Sequence, residues 1–151
     1  QDRSSAASDV YKRQGYYCDF DRNFGFGNIN QKSLDAYNKL WDATEKTLEI
    51  IKPGISCKEV YESLSKNLFS NNVKSSVGRM GHGFGLQLTE PPSIMIDDNT
   101  ILEKNMILAL EPSIEIENDL MLVHEENILI TQNGNRLLSS RTPKELPVIN
   151  V

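Results

Sequence analysis

The sequence predicts an α+β fold in which two helices precede a series of short strands. Apolar residues recur at intervals of three and four between residues 34 and 68, as on the buried face of an amphipathic helix. After residue 77 the pattern changes to short apolar or alternating runs separated by glycine, proline and asparagine turns. At 151 residues the chain has the length of one domain, and no internal repeat is visible.

The first patterned elements are a strand and a long helix. Residues 15–26 are rich in aromatic side chains and bounded by glycines, which indicates a strand. Asn28 or Asn30 then offers an N-cap for a helix of about six turns, which Pro53 and Gly54 end. The stripe that this helix would bury consists of Leu34, Tyr37, Trp41, Thr44, Leu48 and Ile51.

A second helix and four strands follow. Ser56 and Glu59 have the spacing of a capping box, which predicts a helix that buries Val60, Tyr61, Leu64 and Leu68 and ends at Asn71–Asn72. The predicted strands cover residues 106–110, 119–124, 127–131 and, after a turn at Asn133–Gly134, residues 136–139.

Composition excludes several classes of protein. The chain has 16 basic and 21 acidic side chains and a net charge of −5, which disfavours binding to nucleic acid or to an anionic membrane. No apolar run reaches the roughly 18 residues of a membrane helix. Cys18 and Cys57 are too few for a disulfide framework. We therefore expect a cytoplasmic protein, and a homodimer is compatible with the sequence.

Residues 1–14 differ from the rest of the chain. They are small, polar and charged, and they resemble translated sequencing-adapter read-through. We therefore expect a non-native or disordered tail over 1–14, with an ordinary flexible N-terminus as the alternative.

One histidine and several carboxylates occur at strand ends or beside glycines. His82 lies between two glycines that allow close backbone approach, and Glu111 follows an apolar run. Glu125 and Glu126 interrupt a pair of strands, where a surface hairpin would suit one of them, and the like charges of Asp19 and Asp21 share a strand face. Singly, each acid also fits a solvated face or a cap, and His82 also fits a turn. Together they are the ligand set expected for Mn, Fe, Co or Zn.

Four sequence blocks resemble those of the pita-bread metallohydrolases, the superfamily of Xaa-Pro aminopeptidases, prolidases, creatinases and methionine aminopeptidases. The blocks are GYYCDFDRNFGFG, GHGFGLQLTEPPSI, MILALEPSI and VHEENILIT. The resemblance covers residues 15–142 and implies a curved antiparallel sheet with flanking helices around two divalent metal ions, here N-terminally truncated. It therefore implies a partial catalytic metallohydrolase domain over 15–151.

The resemblance also implies a ligand set. The matching residues are Asp19 and Glu125 as bridging carboxylates, with His82 and Glu111 on one metal. The family's earlier aspartate, about eleven residues before Asp19, falls on Ser8. Asp9 is one residue away, and a slip of one residue on a strand turns a side chain to the other face. The resemblance therefore implies two ions (Mn, Co, Zn or Fe) in a complete protein and at most one firmly held here.

Other positions depart from the typical peptidases. Thr89 stands where they have a second histidine, and Gly78 where they often have another. Asp21 stands where they have Thr or Ser, so it is a further candidate at the metal, or else it forms a salt bridge with Arg22 or another surface base. The blocks RMGHGFGLQLTEPPS and CDFDRNF look more like the branch with ectoine hydrolases and dimethylsulfoniopropionate lyases.

Three functions follow as expectations. The first is a metal-dependent hydrolase of the Xaa-Pro peptidase type, which cleaves a C–N bond of a peptide or small amide by a metal-bound hydroxide. In it, Glu111 or Glu125 relays a proton, and Arg79 binds an anionic substrate group. The alternatives are a metal-dependent lyase of the dimethylsulfoniopropionate-lyase type and a non-catalytic binding relative.

Overall fold

The computed structural model describes residues 3–69, 78–117 and 120–149, which contain ten strands and two helices. The first part of the chain forms β1 (Arg3–Arg13), β2 (Tyr16–Phe26), α1 (Gln31–Ile50) and α2 (Cys57–Phe69). The second part forms β3 (Gly81–Gly83), β4 (Glu90–Ser93), β5 (Ile107–Leu110), β6 (Ser113–Glu117), β7 (Leu120–Val123), β8 (Glu126–Ile130), β9 (Asn135–Leu137) and β10 (Val148–Ile149).

Both predicted helices are confirmed, with their N-caps. Asn30, rather than Asn28, caps α1, because its side chain accepts a hydrogen bond from the backbone N–H of Ser33 at 2.9 Å. The capping box of α2 is reciprocal: Glu59 Oε2 accepts from the backbone N–H of Ser56 at 2.7 Å, and Ser56 Oγ accepts from the backbone N–H of Glu59 at 3.2 Å. The predicted end of the second helix at 71–72 lies outside the described residues.

The backbone of residues 3–13 forms β1, which pairs antiparallel with the whole length of β2. Such pairing needs only backbone N–H and C=O groups, which every non-proline residue carries whatever its side chain. The non-native or disordered tail expected over residues 1–14 stays a prediction.

The described strands form three sheets. A five-stranded sheet has the order β4-β3-β5-β8-β9, a three-stranded sheet has the order β1-β2-β10, and β6 pairs with β7. The two helices share a core with strands of the five-stranded sheet and with β6 and β7, and its fully buried members include Tyr37, Leu40, Leu64, Leu108 and Ile128. Each such side chain contributes about 1.5–3 kcal/mol through burial. Neither helix combines the length and the hydrophobicity needed to cross a bilayer, within the described ranges.

The strand predictions over 106–110, 119–124 and 127–131 are confirmed to within a residue or two by β5, β7 and β8, and the last predicted strand corresponds to β9. β3 was missed because glycine lowers strand propensity. Its glycines have a packing cause: a Cβ on Gly81 would lie 2.4 Å from the oxygen of Ala109, and one on Gly83 would lie 2.4 Å from the oxygen of Pro91. The neighbouring strands therefore approach β3 too closely for larger residues.

Candidate metal centre

Three of the residues singled out from the sequence come together in space. Asp19 lies in β2, His82 lies in the middle of β3, and Glu125 immediately precedes β8. One ligand atom from each of the three lies within 4.8 Å of the other two. The fold thus brings side chains from three separated segments to one point, as a metal site requires.

The ring of His82 is buried and held in one orientation. Its Nδ1 lies 2.9 Å from the backbone oxygen of Gly83, and because a carbonyl oxygen only accepts, Nδ1 is the donor. The proton on Nδ1 leaves the lone pair of Nε2 available. A hydrogen bond of this kind to the second ring nitrogen is the usual support of a metal-binding histidine.

Glu125 is a buried carboxylate with an unsatisfied oxygen. Its Oε1 has no hydrogen-bond partner among the described residues. Burial, with the charges of Asp19, Asp21 and Glu111, raises the pKa of Glu125 to about 8. Burial and the charge of Asp21 also raise the pKa of Asp19. The charges of Arg22 and Arg79 lower these pKa values but do not offset burial and the repulsion between the carboxylates. Carboxylates clustered beside one imidazole nitrogen are a donor set that fits a divalent cation.

Glu111 lies next to this group but is engaged elsewhere. It directly follows β5, and its Oε1 accepts a hydrogen bond from Arg79 Nε at 3.0 Å. Its other oxygen, Oε2, lies 3.8 Å from His82 Nε2. Glu111 is therefore outside the three-residue group but within its electrostatic reach, and its role as a ligand stays a prediction.

The structure brings neither Asp21 nor Thr89 into the group of three possible ligands. Asp21 acts on the group through its charge, which raises the pKa of both Asp19 and Glu125. In the structure Arg22 pairs with Glu126 and donates to the backbone oxygen of Asp21. The alternative for Asp21, a salt bridge with Arg22 or another surface base, stays a prediction. Thr89 is exposed immediately before β4, and its role stays a prediction.

The register of β1 bears on the missing aspartate. Ser8 is paired with Asp21, and Asp9 is paired with Phe20. Because side chains alternate along β2, the register position of Asp9 belongs to the face opposite Asp19. This pairing agrees with the sequence argument that Asp9 does not replace a carboxylate at position 8.

Sequence reasoning missed a second layer of polar residues behind the centre. A surface hairpin would leave either Glu125 or Glu126 exposed, but both are buried, at 1% and 0% exposure. Glu126 Oε1 accepts from Arg141 Nη1 at 2.8 Å and from the backbone N–H of Thr142 at 2.9 Å. The only sequence signal for this layer was the second acid of the Glu125–Glu126 pair.

A histidine buried among carboxylates from separate strands of an α+β fold is typical of metal-binding proteins. Comparison with known families makes this specific. Residues 7–132 match the model of metallopeptidase family M24, and the chain belongs to that family. The resemblance to the pita-bread metallohydrolases, including their fold, is thereby confirmed.

Comparison with individual proteins agrees with this family assignment. An Xaa-Pro dipeptidase of Pyrococcus horikoshii is 33% identical over 135 residues, which are 88% of this chain and 38% of that protein. The solved prolidase of Pyrococcus furiosus is 26% identical with a TM-score of 0.86 and covers 93% of this chain and 42% of that one. The N-terminal domain of the FACT complex subunit SPT16 from chickpea shares the fold at 17% identity, with a TM-score of 0.82 over 95% of this chain and 36% of that one. The chain thus spans about two-fifths of the length of these proteins.

Proposed function

We propose that this chain forms part of a metal-dependent hydrolase of the Xaa-Pro peptidase type, which cleaves a C–N bond in a peptide or small amide. One observation carries the proposal: the ligand atoms of Asp19, His82 and Glu125 lie within 4.8 Å of one another. The names of the relatives, an Xaa-Pro dipeptidase and a prolidase, support the substrate class.

Each residue has a distinct part in the proposed chemistry. Asp19, His82 and Glu125 would hold a divalent ion (Mn, Co, Zn or Fe), which when bound supplies Lewis acidity and lowers the pKa of water. Glu111 is the candidate fourth ligand, and Glu111 or Glu125 is the candidate proton relay. Arg79, half-exposed beside Glu111, is the candidate to bind an anionic group of the substrate.

We further propose that a protein with the full length of the relatives holds two ions and that this chain holds at most one firmly. The support is position 8, which is occupied by serine at the register position opposite Asp21. A hydroxyl is a much weaker ligand for these cations than a carboxylate. The cytoplasmic location, the homodimer and Thr89 as a substrate contact belong to the same proposal.

Metal binding by the chain tests the centre. We expect isothermal titration with Mn²⁺, checked by elemental analysis, to give one tightly bound ion per chain. Glu125→Gln should weaken binding at least about tenfold because it removes a negative ligand. Glu115→Gln, the same change at an exposed position of β6, should leave binding unchanged. Failure of the unaltered chain to bind Mn²⁺, or equal binding by both variants, would overturn the proposed centre.

Hydrolysis separates the enzyme from its alternatives. A protein with the full length of the relatives should release proline from Xaa-Pro dipeptides in the presence of Mn²⁺. The non-catalytic relative is the second candidate, since the carboxylate expected at position 8 is a serine here. Metal binding without any turnover would favour that candidate, and turnover of dimethylsulfoniopropionate alone would favour the lyase.

A further inference from the structure

The candidate metal centre lies across a seam between two sheets. Asp19 belongs to β2 in the three-stranded sheet, whereas His82 and Glu125 lie on or beside strands of the five-stranded sheet. Among the described strands, β2 has no hydrogen-bonded ladder with any strand of the five-stranded sheet. A ladder therefore does not set the distance between Asp19 and Glu125.

Polar side chains cross this seam instead, next to one backbone bond from Tyr17 N–H to the oxygen of Gly85 at 2.8 Å. Each of these side chains donates to a backbone oxygen; two of the bonds join β2 to residues on or beside β8, and the bond of Asn23 ends on β7 of the two-stranded sheet. The bonds run from Arg22 Nη1 to Glu125, from Asn23 Nδ2 to Val123 at 2.7 Å, and from Asn127 Nδ2 to Asp19 at 2.8 Å. Two of the three end on the backbone of a candidate metal ligand.

Arg22 is the crossing side chain that is itself held in place. Its Nη2 lies 3.4 Å from Oε2 of Glu126, and its guanidinium carbon lies 5.3 Å from the centre of the Phe20 ring. Glu126 is fully buried and is fixed from the other side by Arg141. A planar guanidinium binds a carboxylate and a carbonyl at once, which a lysine ammonium does less well.

We infer that Arg22, fixed by Glu126, is a positioning residue for metal binding. It joins the strand of Asp19 to the backbone of Glu125, so that the carboxylate of Glu125 stays within ligand distance of Asp19 and His82. This inference rests on the proposed function, because it assigns Arg22 a role at that same centre. Neither Arg22 nor Glu126 touches the cation in this assignment.

The test compares Mn²⁺ affinity among conservative variants. Arg22→Lys and Glu126→Gln should each weaken Mn²⁺ binding about tenfold or more, as loss of a supporting contact to a ligand does. The matched control is Arg136→Lys, the same change at an exposed position of β9, which should bind as the unaltered chain does. If the two positions act as one unit, the double variant should lose much less than the product of the two single losses.

Unfolding in urea with excess chelator separates positioning from general stability. A residue that only stabilises the fold would lower the metal-free unfolding free energy but leave the affinity of folded chains unchanged. Should Arg22→Lys fail to fold, Glu126→Gln carries the same expectation. Affinities of the folded variants within about twofold of the unaltered chain would overturn the inference alone, whereas no Mn²⁺ binding by the unaltered chain would overturn the proposed function as well.

Discussion

Glu126 and Arg141 form an ion pair with 2.8 Å between Oε1 and Nη1, and the carboxylate of Glu126 is completely buried. Arg141 also contacts Glu45, whose side chain is 44% exposed, at 3.3 Å. One arginine thus has a buried and an exposed acidic partner. The pair fastens the segment after β9 behind the candidate metal centre.

Glu126→Ala should destabilise the fold strongly, because it leaves Arg141 and the backbone N–H of Thr142 without their buried acceptor. We expect a loss of about 3–5 kcal/mol in the free energy of unfolding, measured with urea. Glu45→Ala removes the exposed partner of the same arginine and should cost less than about 1 kcal/mol. Equal losses for the two variants would contradict the expectation that the buried partner of Arg141 stabilises the fold more than the exposed one.

Gly83→Ala should damage both stability and metal binding. The added Cβ would lie 2.4 Å from the oxygen of Pro91, so β3 and the ring of His82 must shift. We expect a loss of about 1–3 kcal/mol in urea unfolding, together with weaker Mn²⁺ binding. Gly134→Ala is the control, since a Cβ there meets no atom within 4 Å. Normal Mn²⁺ binding by Gly83→Ala would show that β3 tolerates the side chain.

Asn30→Ala should shorten or destabilise α1, because it removes the acceptor for the backbone N–H of Ser33. We expect a loss of about 1 kcal/mol in thermal or urea unfolding. Asn28→Ala tests the other cap candidate from the sequence and should have a smaller effect. A larger loss of stability for Asn28→Ala than for Asn30→Ala would contradict the assignment of Asn30 as the N-cap of α1.

The capping box of α2 should make stability depend on acid pH. Hydrogen bonds from the backbone N–H and hydroxyl of Ser56 hold the pKa of Glu59 below its ordinary value of 4.5. The pKa of Glu59 is lower in the folded than in the unfolded chain. The carboxylate therefore contributes its full stabilisation of the fold above the unfolded pKa, and this contribution is lost as the pH falls through the folded pKa. Urea midpoints of the unaltered chain and Glu59→Gln should therefore differ at pH 7 and converge in acid. Glu62→Gln, the same change on the same helix but outside the capping box, is the control.

Local patterns along the chain were sufficient to predict both helices, the capping box at Ser56 and the strands β2, β5, β7 and β8. These features depend on interactions between residues a few positions apart, which a sequence displays directly. The motif blocks were sufficient to indicate the family, which the match over residues 7–132 confirms. They also named Asp19, His82 and Glu125 as chemical candidates.

Tertiary structure decided which of these candidates meet and what holds them. Arg22 reaches Glu125 and Glu126 across more than one hundred positions of sequence, and no local pattern encodes such a contact. Pairing of β1 with β2 likewise depends on backbone groups that composition does not reveal. The local rules therefore placed the elements, whereas the tertiary structure brought Glu125 beside Asp19, because only folding brings distant segments within ligand distance of one another.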